Sequence, residues 1–204
     1  MARHFSMIRD FHLSDLLTLG NGTSGMAAIF LSIAYVAHGG IEKIFAACAL
    51  LVVAVACDVL DGRVARWRQE ATLMGRELDS LADVISFGVA PACLAYAIGF
   101  QADGDALALA LFVACGISRL ARYNATADFL SKKSGKVTYF EGAPITTSLL
   151  LVGVLALLAR AGRVGASLPF GALHLGAHAL HPLVLAFVAL GALMISKTIR
   201  IPKP

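Results

Sequence analysis

Apolar stretches recur along this chain at the length a lipid bilayer demands, and that constrains its fold more than any other feature. Six can be drawn, near 15–37, 41–65, 76–100, 105–125, 143–161 and 179–197. A helix rising about 1.5 Å per residue needs about 20 apolar residues to cross about 30 Å of hydrocarbon. Composition agrees. Of 204 residues, 58% are hydrophobic and only 15% charged, against roughly 25% charged in a soluble domain. The mean hydropathy is +0.78. The expectation is an all-α integral membrane protein with six transmembrane helices, forming a single domain over 1–204. The opening MARHFSMIRDFHLSD lacks the apolar core and cleavage site of a secretory signal. Phe5, Met7, Ile8, Phe11 and Leu13 among Arg3, Arg9 and Asp10 read as an N-terminal interfacial amphipathic segment. Cys48, Cys57, Cys93 and Cys115 fall within apolar stretches with no CxxC pair, and read as buried small hydrophobes.

Charge orients the spans. With six crossings both termini share one side, along with the 66–76 connection and the 119–136 region. That side carries Arg3, Arg9, Arg63, Arg66, Arg68, Arg76, Arg119, Arg122, Lys132, Lys133, Lys136, Lys197, Arg200 and Lys203. The other side carries only Lys43, Arg160 and Arg163. The positive-inside rule makes the richer side cytoplasmic. The net charge of +4 then faces anionic headgroups and phosphate substrates. No aromatic-plus-basic pattern of a nucleic-acid binder is present, so no nucleic acid is expected.

Four aspartates interrupt the second and third spans, where carboxylates are costly. Asp58, Asp61 and Ala65 are spaced i, i+3, i+7 and share one helix face, with Gly62 and Arg66 on its shoulder. Gly75, Asp79 and Asp83 are spaced i, i+4, i+8, and their face continues as Ser86 and Ala90. If the two faces oppose, the carboxylates converge, and Gly62, Ala65 and Gly75 leave room for a substrate against the backbone. Converging carboxylates repel unless a cation lies among them. Oxygen-only ligands favour Mg²⁺ or Mn²⁺ over zinc, and four carboxylates suit two ions about 3.5–4 Å apart. Mg²⁺ completes its shell with water and substrate phosphates, so a phosphate or diphosphate substrate is implied. Arg66 can meet phosphate oxygens as a planar fork. Asn21, with Thr18 and Thr23 nearby, is polar where lipid contact is expected, and either faces the cavity or bonds a neighbouring helix.

The full pattern, D-x2-D-G-x2-A-R-x8-G-x3-D-x3-D from Asp58 to Asp83, resembles that of the CDP-alcohol phosphatidyltransferase family. The resemblance implies six transmembrane helices, usually a homodimer, and a CDP-linked lipid or alcohol bound at the cytoplasmic face. It implies transfer of a phosphatidyl or alcohol-phosphate group to an acceptor hydroxyl, with release of CMP. By motif position, Asp58, Asp61, Asp79 and Asp83 would be metal ligands, with Asp83 also the general base. Gly62, Arg66 and Thr72 would contact the CDP-lipid, in a site that also takes in Ala65, Gly75 and Asn21.

Three segments are similar to the bacterial phosphatidylserine synthase branch: ELDSLADVISFGVAPA (77–92), SRLARYN (118–124), and YFEGAPITTS (139–148) followed by LMISKTIR (193–200). Where that branch usually carries a second proline, this chain has Thr146. The resemblance implies CDP-diacylglycerol and L-serine as substrates, in the inner membrane of a bacterium. Serine brings a carboxylate and an ammonium. Arg119 and Arg122, spaced i, i+3, are candidates for the first, and Glu141 for the second, with Asn124 adding polar contacts. Within the same family, glycerol 3-phosphate or an inositol compound is the alternative acceptor. A divalent-cation transporter would need polar residues through to the far face. Instead AACALLVVAVAC precedes Asp58 and GVAPACLAYAIGF follows Ser86. Ser80 is the one obvious nucleophile within the motif, so direct in-line transfer is the simpler expectation. His174 and His178 are spaced i, i+4 near His181, but on the outer side they read as interfacial loop residues.

Overall fold

The computed structural model describes residues 12–68, 72–134, 139–175, 178–196 and 200–202. It is almost wholly helical. Helix α1 spans Leu13–His38, α2 Ile41–Arg68, α3 Leu73–Ile98 and α4 Asp103–Ser134. Two shorter helices follow, α5 (Ser148–Arg160) and α6 (Leu185–Ile195), each entered through a 3-10 turn. Two small antiparallel pairs complete the fold: β1 (Tyr139–Glu141) with β4 (Arg200–Pro202), and β2 (Leu173–Leu175) with β3 (His178–Leu180).

Helices α1 to α4 are long and apolar enough to cross a membrane, which makes this an integral membrane protein. Helix α3 is central. In its most apolar window 67% of residues are buried within the protein, against 33%, 28% and 39% in α1, α2 and α4. The other helices therefore present apolar side chains outward: Phe30 on α1, Val52 on α2 and Leu107 on α4 are all exposed, as suits contact with lipid tails. The expected spans five and six are helical but short. Helix α5 has 13 residues and α6 has 11, roughly 20 Å and 17 Å of rise. The N-terminal amphipathic segment lies outside the described residues, apart from His12, which caps α1, and Leu13–Asp15, which form its first turn.

Local chemistry sets the helix ends. The carboxylate of Asp15 accepts the His12 backbone N–H at 2.9 Å, closing the N-terminal turn of α1. Gly39 and Gly40 take φ of +66° and +91°, a left-handed turn open to glycine without Cβ strain, and α2 folds back along α1. The 126–142 segment is polar, yet α4 runs on to Ser134. Hydropathy marks where a helix leaves the membrane, not where it stops, and 126–134 holds no proline or glycine to end it.

Helix α3 departs from α geometry immediately after Asp83. Val84–Val89 form a π turn, and the Ala90 N–H bonds back to the Ile85 carbonyl. Pro91 explains the position. It has no N–H to donate, and in a regular helix its ring would clash with the carbonyl four residues earlier, at Phe87. The wide turn relieves that clash and inserts one extra residue, rotating the apolar half of α3 relative to its aspartates.

At the end of the bundle away from the aspartates, Asp105 is fully buried. Its oxygens accept from the Ala102 N–H at 3.0 Å and the His181 N–H at 2.8 Å, and pair with His181 Nδ1 at 2.6 Å. This clasp ties the start of α4 to the entry of α6. His174 and His178 lie in the β2–β3 hairpin, paired in register with Ala179 and Leu175, so their spacing is not that of one helix face. Asp105→Ala strands three donors and should destabilise the fold by several kcal/mol, at about 1–3 kcal/mol for each unsatisfied buried group. A melting temperature lowered by several degrees in detergent is the expected reading. An unchanged value would show that the clasp contributes nothing.

Candidate active site

The aspartates sit where α1, α2 and α3 meet. Asp58 and Asp61 come from α2 and Asp79 and Asp83 from α3. Asp58, Asp61 and Asp79 each offer an oxygen within 4.8 Å of the others. The two helix faces therefore oppose. Asp83 stands one turn deeper, buried, and outside that three-oxygen set, yet within electrostatic range of Asp79 and Asp58.

Helix α1 closes the third side. Thr18 Oγ1 donates to Asp61 Oδ2 at 2.7 Å, and Asn21 Nδ2 donates to Asp83 Oδ1 at 3.1 Å. Both are buried, and Asn21 is completely so. Ser86, within the π turn, donates to the Asn21 carbonyl at 2.9 Å. Gly25 lets the helices meet there: a Cβ on it would stand 2.7 Å from Ser86 Cα, closer than real side chains come. Asp15 is a fifth carboxylate, buried on the same face of α1, with Oδ1 only 3.0 Å from where a Cβ of Gly75 would lie. Sequence reading placed Asp15 at the end of the interfacial segment. Its signal was the spacing Asp15, Thr18, Asn21, Gly25, which places small or polar residues on one helix face.

The remaining motif positions surround this core. Gly62 and Ala65 are half-buried on α2, and Arg66 is exposed, with Nη1 3.5 Å from where a Gly62 Cβ would stand. The Arg66 fork thus folds back over the glycine. Thr72 caps α3, its hydroxyl accepting the Gly75 N–H at 2.9 Å.

Arg119 on α4 is buried, interacts electrostatically with Asp83, and lies over the Tyr123 ring at 5.6 Å. Its Nε has no hydrogen-bond partner among the described residues. Arg122 reaches α6: its Nη1 donates to the Ile195 carbonyl at 3.1 Å, capping the C-terminal end of that helix. Asn124 donates to Ser80 Oγ at 3.0 Å and to Glu77 Oε2 at 3.3 Å, tying α4 to α3. Glu141 falls in β1, and its side chain lies outside the described residues.

The donor set fits a hard divalent cation. It is all oxygen, three carboxylates converge, and the buried Asp79 Oδ1 has no partner among the described residues. The four cysteines are free and half-buried.

The sequence model of CDP-alcohol phosphatidyltransferase matches residues 11–194. The chain belongs to the CDP-alcohol phosphatidyltransferase family. Among its relatives is a CDP-diacylglycerol–serine O-phosphatidyltransferase of Saccharomyces cerevisiae, 45% identical over 98% of this chain and 74% of that protein. A protein of the same name from Helicobacter pylori is 38% identical over 71% of this chain and 56% of its own length. An archaetidylserine synthase of Methanothermobacter thermautotrophicus is 41% identical over 69% of this chain and 55% of its own. The chain thus spans little more than half of these last two proteins. All three names refer to serine.

Proposed function

We propose that this chain transfers the phosphatidyl group of CDP-diacylglycerol to the hydroxyl of L-serine, giving phosphatidylserine and CMP. The observation that carries the reading is the convergence of Asp58, Asp61 and Asp79 beside Asp83, with the buried Arg119 electrostatically coupled to Asp83. The serine relatives at 45%, 38% and 41% identity support the choice of acceptor.

In this reading the chain is one membrane domain of six crossings, with both termini and the aspartates on the cytoplasmic side and a homodimer as the working unit. Asp58, Asp61, Asp79 and Asp83 would hold two ions, Mg²⁺ or Mn²⁺. When bound, these ions neutralise charge on the transferring and leaving oxygens of the diphosphate. Arg66 adds a fork for phosphate oxygens above Gly62, and Gly62, Ala65 and Gly75 keep the surrounding surface low. Thr72 holds the first turn of α3 beside them. The apolar groove of about 320 Å³ between α1 and α3, lined by Leu19, Met26, Leu78, Leu81 and Ile85, also reaches Thr18. Because Thr18 bonds Asp61, the groove leads from lipid to the carboxylates, and we assign it to an acyl chain of the CDP-lipid.

Asp83 takes the proton of the serine hydroxyl as that oxygen attacks phosphorus. Arg119 faces the serine carboxylate, and Glu141 is assigned to its ammonium. Arg122 and Asn124 act from further out, holding α6 and α3 against α4. Ser80 accepts the Asn124 amide, and we assign one direct displacement rather than a phosphatidyl-enzyme.

Purified protein supplied with CDP-diacylglycerol should release CMP with serine and not with glycerol 3-phosphate or inositol phosphates. The configuration at a chiral phosphorus should invert. Incorporation of glycerol 3-phosphate but not serine would sink the acceptor assignment, and retention would require a covalent intermediate.

A further inference from the structure

We propose that Asn21, which lies outside the aspartate motif, is the positioning residue for Asp83. The inference rests on the transfer reading above. The side chain of Asn21 is completely buried, and its Nδ2 donates to Asp83 Oδ1 across 62 positions of sequence. An amide in the interior of a membrane bundle is costly unless bonded, and here its donor goes to the group assigned as base rather than to a lipid.

The pair is pinned from both sides within one turn. Asn21 reaches α3 through its side chain, while Ser86 reaches back from α3 to the main-chain carbonyl of Asn21 at 2.9 Å. Gly25, one turn along α1, closes the contact, since any Cβ there would strike Ser86. The π turn that begins at Val84 carries Ser86 and starts directly after Asp83. Position 86 is therefore set by the same distortion that Pro91 imposes.

The consequence is a division of labour within one carboxylate. The terminal torsion of an aspartate is broad and roughly two-fold, so a free Asp83 would present either oxygen. With Oδ1 engaged by Asn21 and keeping a second lone pair for an ion, Oδ2 is left to receive the proton of the acceptor hydroxyl. Asn21 touches neither substrate in this scheme. It acts by holding the base in the attacking geometry, where a misplacement of about 1 Å costs on the order of 10²-fold in rate.

The test uses the full chain in nanodiscs with Asn21→Ala, Asn21→Leu and Ser86→Ala. Asn21→Leu keeps the side-chain bulk without a donor, so it reports even where the alanine variant folds poorly. Both Asn21 variants should lower kcat about 100-fold, with KM for CDP-diacylglycerol within about threefold of wild type. Ser86→Ala should lower kcat in the same direction by less, and should add nothing in the Asn21→Leu background, because it acts through the same residue. A normal kcat with a raised KM for the lipid would make Asn21 a lipid contact and overturn the proposal. Where serine fails as acceptor but another alcohol releases CMP, the acceptor reading falls and the same variants are measured with that alcohol. Infrared spectroscopy gives a readout free of activity. Asn21→Leu should shift the carboxylate band that Asp83→Asn removes, and an unshifted band overturns the proposal whatever the acceptor.

Discussion

Asp83→Asn is expected to lower the rate of CMP release at least about 100-fold with every acceptor while leaving the protein folded. The amide fits the same space, and its carbonyl oxygen can still accept from Asn21 Nδ2, which now lies 3.1 Å from Asp83 Oδ1. What it cannot do is take a proton. A positioned base contributes about 10²–10⁴-fold, so kcat should fall within that range or below detection. KM for the CDP-lipid should move little. The melting temperature should be unchanged or higher, because a carboxylate is removed from a cluster of like charges. A variant that melts normally and turns over within threefold of wild type would remove Asp83 from the chemistry.

Withdrawal of divalent cations is the second large effect. Chelation should eliminate activity, and Mg²⁺ or Mn²⁺ should restore it where Zn²⁺ does so poorly, since the converging ligands are oxygens alone. Asp79→Asn gives a more selective reading. It should weaken Mn²⁺ binding at least about tenfold, the scale set by loss of even an outer-shell partner. Its effect on stability should have opposite signs with and without metal. Without metal the substitution relieves repulsion among Asp58, Asp61 and Asp79 and raises the melting temperature. With metal it shrinks the stabilisation that ligand binding supplies through mass action. Mn²⁺ titration followed by electron paramagnetic resonance checks the first, and paired melting curves check the second. Full activity after exhaustive chelation would break the metal assignment.

Much of the architecture is legible in the sequence alone. Four spans follow from apolar length, and the shared face of each carboxylate pair follows from i, i+3 and i+4 spacing within α2 and within α3. The limits are equally physical. Hydropathy locates the membrane and not the helix end, so α4 runs past its expected boundary to Ser134. The same measure drew full-length fifth and sixth spans where α5 and α6 have 13 and 11 α-helical residues. The π turn had a sequence signal, Pro91 with Gly88 just before it, but its place in the ladder depends on how α3 packs. Arg119 and Arg122 look alike in sequence, three residues apart on one helix. One is buried near Asp83 and the other caps α6, because only packing distinguishes two positions about 60° apart on a helix.

The sequence by itself determined the carboxylate pattern, whose resemblance to the family implies the reaction class, because the motif residues are local: each pair lies within one helix, where spacing dictates the shared face. Only the tertiary structure decided what faces that site. Thr18 on Asp61, Asn21 on Asp83 and His181 on Asp105 join positions 43, 62 and 76 residues apart. Periodicity reports that such a residue points inward, but its partner is chosen by the crossing of helices, which no single segment encodes.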